Sequence, residues 1–124
     1  MLFTTILAST IALGMGVSAA PTASPSPNPN YRYVQLRVYG APGCSELNQG
    51  ELGVYGDSLN KCQTFNDITI KSVRFEAKYQ ESCTVTLYDD VTCQTNRREV
   101  QVETCLSGDD SEQFRSYIVE CPGV

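Results

Sequence analysis

The sequence predicts an all-β protein, and three observations lead to this prediction. Apolar and polar residues alternate along most of the chain, which is the pattern of strands with one buried face. Glycine, asparagine, aspartate and proline interrupt these runs at short intervals, as they do in turns. No segment carries a helical period of useful length. A compact sandwich or barrel of short strands follows.

The amino-terminal 19 residues are predicted to be a secretory signal peptide. Residues 6–17 are apolar and uncharged, shorter than the roughly 20 residues that span a bilayer, and small residues follow them. Cleavage is expected after Ala19, because a cut one residue later would leave Pro21 at the new terminus. We therefore expect a secreted, extracellular protein without stable membrane insertion.

Residues 20–30 are predicted to be a disordered linker rich in proline and serine. The prolines at positions 21, 25, 27 and 29 keep the chain extended and outside a packed core. Its hydroxyl groups are acceptors for O-linked sugar, or else the segment is a bare spacer. The remaining residues 31–124 are enough for one domain and too few for two ordinary ones.

The charge of the protein belongs to this domain. Every charged residue lies after the linker, and the net charge is -5. An acidic surface disfavours nucleic acid and anionic membranes as partners. We expect an extracellular protein or a cell-wall component as the partner, although many acidic secreted domains are merely soluble.

Three disulfides are expected from the cysteine count. An even set in an oxidising compartment predicts full pairing, and with no leftover thiol we expect a monomer. Metal binding is the alternative, but the chain has no C-x-x-C spacing and no histidine. No metal and no other cofactor are therefore predicted. The cysteines are Cys44, Cys62, Cys83, Cys93, Cys105 and Cys121.

Strands and turns can be placed in order along the domain. Alternating runs at 34–38, 73–77, 83–87 and 100–102 predict strands. Turn residues cluster at 40–43, 48–50, 55–57, 89–90 and 107–110.

The second half of the domain repeats the first. Tyr39 and Cys44 match Tyr88 and Cys93 in a Tyr-x-x-x-x-Cys pattern. A middle cysteine, an acidic turn and a serine that opens a closing strand follow in the same order. These are Cys62 with Cys105, Asn66-Asp67 with Asp109-Asp110, and KSVRF from Lys71 with RSYIV from Arg115. A repeat of about 40 to 50 residues with roughly four short strands predicts two Greek-key units.

These motifs resemble the βγ-crystallin-like fold. Each unit of that fold opens with a strand that ends near an aromatic residue, turns through a tight hairpin, and presents a serine before its closing strand. Ser72-Val73-Arg74-Phe75 matches the closing pattern, whereas Ile118 replaces the basic residue in the second half. The chain is most similar to small secreted cysteine-rich fungal proteins of this fold. That group includes killer-toxin-like and effector-like members.

The resemblance implies both an architecture and a function. The architecture is a disulfide-stabilised sandwich of two Greek-key units, and the function is non-enzymatic, effector-like or antimicrobial-toxin-like, outside the cell. Equivalent halves would place two bridges within the halves and join the ends of two neighbouring strands by the third. A bridge between the halves would then contradict their equivalence, and the function implied by the resemblance would lose its support with it. The implied pairs are Cys44 with Cys62, Cys93 with Cys105, and Cys83 with Cys121.

Calcium is the best-known ligand of this fold, but the motif departs from it here. In the two halves the acidic pair lies one and two positions too far from the serine. Lys71 and Arg115 occupy the position of a hydroxyl ligand, and their charge opposes a cation. No specific calcium site is expected.

No catalytic residues are predicted. The absence of histidine rules out the usual nucleophilic triad. The acidic pairs are adjacent on turns, and nothing indicates the apolar cleft that raises a carboxyl pKa for glycoside cleavage.

Two stretches are candidate binding surfaces. Tyr31, Tyr33 and Tyr39 share parity opposite the buried face of the first strand, where exposed rings would bind protein or sugar. Cross-strand packing is the alternative. Arg97 and Arg98 would engage an anionic group or a dibasic-specific protease, or simply lie in a solvated turn. Two further functions stay open: a cell-wall-associated structural or carbohydrate/protein-binding module, and a protease inhibitor that presents residues 50–59 as a loop.

Overall fold

Eight strands make up two antiparallel sheets in the computed structural model, which describes residues 27–109 and 111–124. The all-β prediction is confirmed. The predicted signal peptide and linker residues 20–26 lie outside the described residues. Within the described ranges, no helix is long and apolar enough to cross a membrane. The strands are β1 Arg32–Tyr39, β2 Asn48–Tyr55, β3 Gln63–Thr64, β4 Ser72–Lys78, β5 Thr84–Tyr88, β6 Arg98–Val100, β7 Cys105–Ser107 and β8 Ser116–Glu120.

Each sheet takes three strands from one half of the chain and one from the other. The first sheet has the order β2-β1-β4-β7, and the second has the order β3-β8-β5-β6. The short strand β3 therefore leaves the first half and pairs with β8, where Gln63 lies opposite Tyr117. Likewise β7 pairs with β4, where Leu106 lies opposite Val73. The two halves are interlocked by this exchange.

Two of the three predicted disulfide pairings are wrong. Cys44 is bonded to Cys105, and Cys62 is bonded to Cys93, so both bridges join the halves. The exchanged strands are the reason. β7 carries Cys105 into the first sheet, where Ser107 accepts a hydrogen bond from a backbone N–H in the Cys44 hairpin.

The crossed bridges nevertheless leave the halves equivalent, contrary to the expectation from sequence. Each bridge joins the hairpin cysteine of one half to the middle cysteine of the other. The predicted Cys83–Cys121 bridge is confirmed. It forms where β5 and β8 run side by side, with Thr84 opposite Glu120.

The Tyr-x-x-x-x-Cys pattern marks the same hairpin twice. Tyr39 and Tyr88 end β1 and β5, and both are buried. The Ser72 hydroxyl donates to the backbone carbonyl two residues after Tyr39, and the Ser116 hydroxyl donates to the one two residues after Tyr88. The cysteine of each hairpin has a left-handed backbone, with φ of 54° and 57°. Each serine thus ties its closing strand to the hairpin of its own half.

Apolar side chains from both sheets fill the space between them. Ile70 and Phe114 are fully buried and bridge to each other, which joins the two halves at the centre of the core. The strands contribute further fully buried residues on their inward faces. These include Val34, Leu36, Val73, Val85, Leu87 and Val119.

Two segments that were predicted to be turns or loops contribute to strand β2 instead. Residues 48–50 open β2 rather than forming a turn, and Gly50 pairs with Val38 while taking a φ of +117°. Residues 50–59 were expected as an exposed inhibitor loop. They complete β2 and a 3-10 turn at Gly56–Ser58, and Val54 and Leu59 are buried.

Candidate functional site

Of the three tyrosines predicted to share an exposed face, only Tyr31 is exposed. Tyr33 and Tyr39 are 5% and 8% exposed, so the expectation is wrong for these two. For Tyr33 the reason is that the residues before β1 cover the outward face of the strand. The Tyr33 ring meets the Tyr31 ring edge-on at 4.7 Å between centroids. Its hydroxyl accepts a hydrogen bond of 3.0 Å from the backbone N–H of Asn28.

Residues 28–31 fold over this end of the first sheet, so the prediction of a disordered linker is wrong for residues 28–30. The carbonyl of Asn28 lies against Gly56, where an added Cβ would come within 2.1 Å of that oxygen. The same carbonyl accepts from the backbone N–H of Tyr31 at 3.1 Å. The Asn28 side chain closes the turn by accepting from the N–H of Asn30 at 2.9 Å. This turn fixes the position of Tyr31.

Two tyrosines that sequence analysis did not single out join Tyr31 at the surface. Tyr31, Tyr55 and Tyr79 are 38%, 40% and 46% exposed. The Tyr31 hydroxyl donates to the backbone carbonyl of Tyr79 at 3.1 Å. Arg32 lies opposite Tyr55 in the β1–β2 register, and its guanidinium is 5.8 Å from the centroid of the Tyr79 ring. We call Tyr31, Arg32, Tyr55 and Tyr79 the tyrosine surface.

Arg32 is held in place within the tyrosine surface. Its Nη1 donates to the Oε1 of buried Gln35 at 2.8 Å. A Cβ at Gly53 would lie 3.1 Å from the Arg32 Cδ and 3.2 Å from a ring carbon of Tyr55, so both side chains lie over this glycine. Together with Tyr31 and Tyr79, Arg32 lines an open cavity of about 240 Å³.

The tyrosine surface belongs to the first half of the chain alone. When the first strands are aligned on the Tyr-x-x-x-x-Cys pattern, Gln80 stands where the first half has Tyr31. When the closing strands are aligned on their serines, Gly123 stands where the first half has Tyr79. By contrast, the buried tyrosine of the pattern occurs in both halves. The fold therefore does not account for the exposed tyrosines.

The structure does not bring Arg97 and Arg98 together as one basic spot. Arg98 contacts Asp89 at 2.6 Å and Glu112 at 3.6 Å. Its guanidinium also lies 4.5 Å from the centroid of the Phe114 ring. Arg97 is exposed. Arg98 therefore stabilises its own surroundings, and only Arg97 offers its side chain to solvent.

The acidic turn residues bind groups within their own turns. Asp90 accepts hydrogen bonds from the Thr92 hydroxyl and from the backbone N–H of Gln94 at 2.9 Å. These bonds hold the pKa of Asp90 well below its usual range, the Thr92 bond having the largest effect. The Ser111 hydroxyl lowers the pKa of Asp109 in the same way. Across the described parts of the chain, no group of three or more cysteine, aspartate or glutamate side chains is placed to hold a metal ion.

A second cavity, of about 170 Å³, opens between the edge strands β2 and β3. Its walls include Leu52, Phe65, Ile70 and Tyr117, which also contact the core. Gln49 and Glu51 lie on β2 beside it. Its apolar lining is largely core surface, unlike the exposed rings of the tyrosine surface.

Fold and site together define an all-β protein with three disulfides and an exposed tyrosine–arginine surface on one half. Such a set of bridges is consistent with an extracellular protein. No protein-family model, curated protein or solved structure matches the chain.

Proposed function

We propose that the chain is a secreted, non-enzymatic protein of βγ-crystallin-like fold that binds a partner outside the cell through the tyrosine surface. One observation carries the proposal. Three half-exposed tyrosines and an arginine are gathered at one end of the first sheet, in a half whose counterpart lacks Tyr31 and Tyr79.

Tyrosine and arginine are among the side chains that most often dominate binding energy at protein interfaces. A tyrosine ring offers a large apolar face and a hydroxyl while losing little rotamer freedom. Here Tyr31 is held by Tyr79 and Tyr33, and Arg32 is held by Gln35. Because these side chains are ordered before a partner arrives, binding costs little further conformational entropy.

Repeated local features support the crystallin-like part of the proposal. Each half has a strand that ends at a buried tyrosine, a tight hairpin, and a serine that opens the closing strand. Those are the features that the resemblance implies for each unit. The exchange of β3 and β7 packs the two units as one body.

Binding to a partner is the step that an effector, a toxin and a cell-wall module share. The test uses the oxidised mature protein from Ala20 onward, applied to cells of the producer and to cells of competing or host organisms. We compare the wild type with Tyr31→Ala and Tyr79→Ala. The matched control is Leu47→Ala, which truncates an exposed apolar side chain at the other end of β1.

The proposal predicts binding to at least one cell type that both tyrosine variants weaken and the control does not. Equal binding by all four proteins, or no binding, would overturn it. Tyrosine-dependent growth inhibition or a host response would then assign an effector or toxin. Retention in the producer's own wall fraction would assign a cell-wall module.

A further inference from the structure

We infer that the ligand of the tyrosine surface is a glycan, whose sugar rings stack on the tyrosine rings while Arg32 donates hydrogen bonds to its oxygen atoms. This inference rests on the proposed function, because it names the ligand class of the same site. A sugar ring has apolar C–H faces and a polar rim of hydroxyl groups. A site for it therefore needs flat apolar surfaces with donors close beside them.

The rings of the tyrosine surface meet the first need. Tyr31, Tyr55 and Tyr79 each leave between 38% and 46% of their surface in solvent. Tyr31 and Tyr79 border one open cavity, and the hydrogen bond from the Tyr31 hydroxyl to the backbone carbonyl of Tyr79 holds the Tyr31 side chain beside that residue. The inferred contact is that of sugar rings with the exposed faces of these two tyrosines.

Arg32 meets the second need. A guanidinium has five N–H donors and no acceptor, and the hydrogen bond to Gln35 uses Nη1. Among the described residues, the arginines in ion pairs are Arg37 and Arg98, and Arg32 forms none. The remaining N–H groups of its guanidinium can therefore donate to the hydroxyl groups of a neutral sugar or to the carboxylate of an acidic one.

The surroundings of the cavity favour a glycan over a protein partner. A stable protein interface covers about 800 Å² on each side, with an apolar centre of several residues. Three large aliphatic side chains are also exposed, but they do not line this cavity. They are Leu47, Ile68 and Val91. The exposed rings thus form a small aromatic site that these aliphatic side chains do not extend.

The experiment measures binding of the mature protein to whole cells after two treatments. A mixture of glucanase, chitinase and polygalacturonase hydrolyses surface glycans, and protease digestion removes surface proteins. The inference predicts that the glycosidase mixture lowers binding at least tenfold and that protease leaves it within twofold. Binding that withstands the glycosidases and is lost after protease digestion would overturn the glycan inference; it would leave the proposed function standing, provided that the binding still depends on Tyr31 and Tyr79. Loss of that dependence would overturn both.

A second experiment identifies the chemical group of the glycan that Arg32 binds. Purified neutral β-glucan, chitin and polygalacturonate serve as probes, with the wild type, Arg32→Ala and Leu47→Ala. We expect at least tenfold weaker binding by Arg32→Ala to the preferred polysaccharide and no change in the control. If the bound group is a carboxylate, binding falls with added salt, whereas binding through hydroxyl groups depends on salt weakly. Equal binding by Arg32→Ala and the wild type would contradict the role of Arg32.

Discussion

Removing the Cys44–Cys105 bridge tests how the crossed disulfides hold the interlocked halves together. The variant carries Cys44→Ala and Cys105→Ala. Considered alone, the bridge joins residues 61 positions apart, for which the chain-entropy model gives about 4.3 kcal/mol of stabilisation. With Cys62–Cys93 intact, however, the path between the two sites through that bridge is only about 30 residues, and the same model gives about 3.7 kcal/mol.

The Cys62–Cys93 bridge belongs to the same covalent ring, which both bridges close together. Its own separation is 31 residues, which again gives about 3.7 kcal/mol. The crossed arrangement therefore predicts that either double variant loses roughly the same unfolding free energy. If the bridges lay within the halves, either double variant would remove one cysteine from each of them, and the loss would be about 6 kcal/mol.

Urea unfolding followed by far-ultraviolet circular dichroism gives the free energies, and a thiol titration in denaturant counts unpaired cysteines. We expect no free thiol in Cys44→Ala with Cys105→Ala, because the four remaining cysteines stay paired. Two free thiols per chain would show that Cys62 and Cys93 had lost their partners, which would refute the crossed arrangement. A loss below about 1 kcal/mol would refute the entropic argument.

Three further predictions concern the hairpins and the site. Ser72→Ala removes the hydroxyl that donates to the hairpin carbonyl and accepts from a hairpin N–H, so urea unfolding should show a loss of about 1 to 3 kcal/mol. Gly53→Val places a branched side chain under Arg32 and Tyr55; binding to cells should weaken at least fivefold while the urea midpoint stays close to that of the wild type. Asp90 has a lowered pKa in the folded state, so its stabilisation is complete at neutral pH and is lost as the pH falls below the ordinary aspartate range. Thermal melts from about pH 7 to about pH 2 should therefore show Asp90→Asn less stable at neutral pH and converging with the wild type in acid.

Most of the strands could be predicted because their signal is local. The alternation of Val34, Leu36 and Val38 defines β1 without reference to the rest of the chain. Ser72 could be placed at the start of β4 because its motif recurs at Ser116. Gly50 misled the prediction, since glycine usually marks a turn but here pairs within β2.

The disulfide pairing could not be predicted because it depends on contacts that are distant in sequence. A within-half pairing assumes that the third strand of each half stays with its own sheet. In the structure β3 and β7 change places, and Cys62 and Cys105 move with them. No alternation or turn residue signals this exchange, which arises from the packing of the two sheets.

The site was only partly predictable for the same reason. Tyr31 was found because it precedes a clear strand. Tyr33 and Tyr39 have the same parity but are buried. Tyr33 is covered by the turn before β1, which the alternation within the strand does not reveal. Tyr55 and Tyr79 join Tyr31 only through strand pairing, which the chain specifies by its register rather than by a motif.

A nuclear magnetic resonance titration tests most directly whether the tyrosine surface is the binding site. Isotope-labelled protein from residue 20 onward would be titrated with soluble surface fragments of a cell type that it binds in the cell assay. We predict that the largest amide shifts occur at the tyrosine surface (Tyr31, Arg32, Tyr55 and Tyr79) and at residues next to it. Shifts centred on the hairpin at 89–98 or on the cavity between β2 and β3, with the tyrosine surface unchanged, would contradict it.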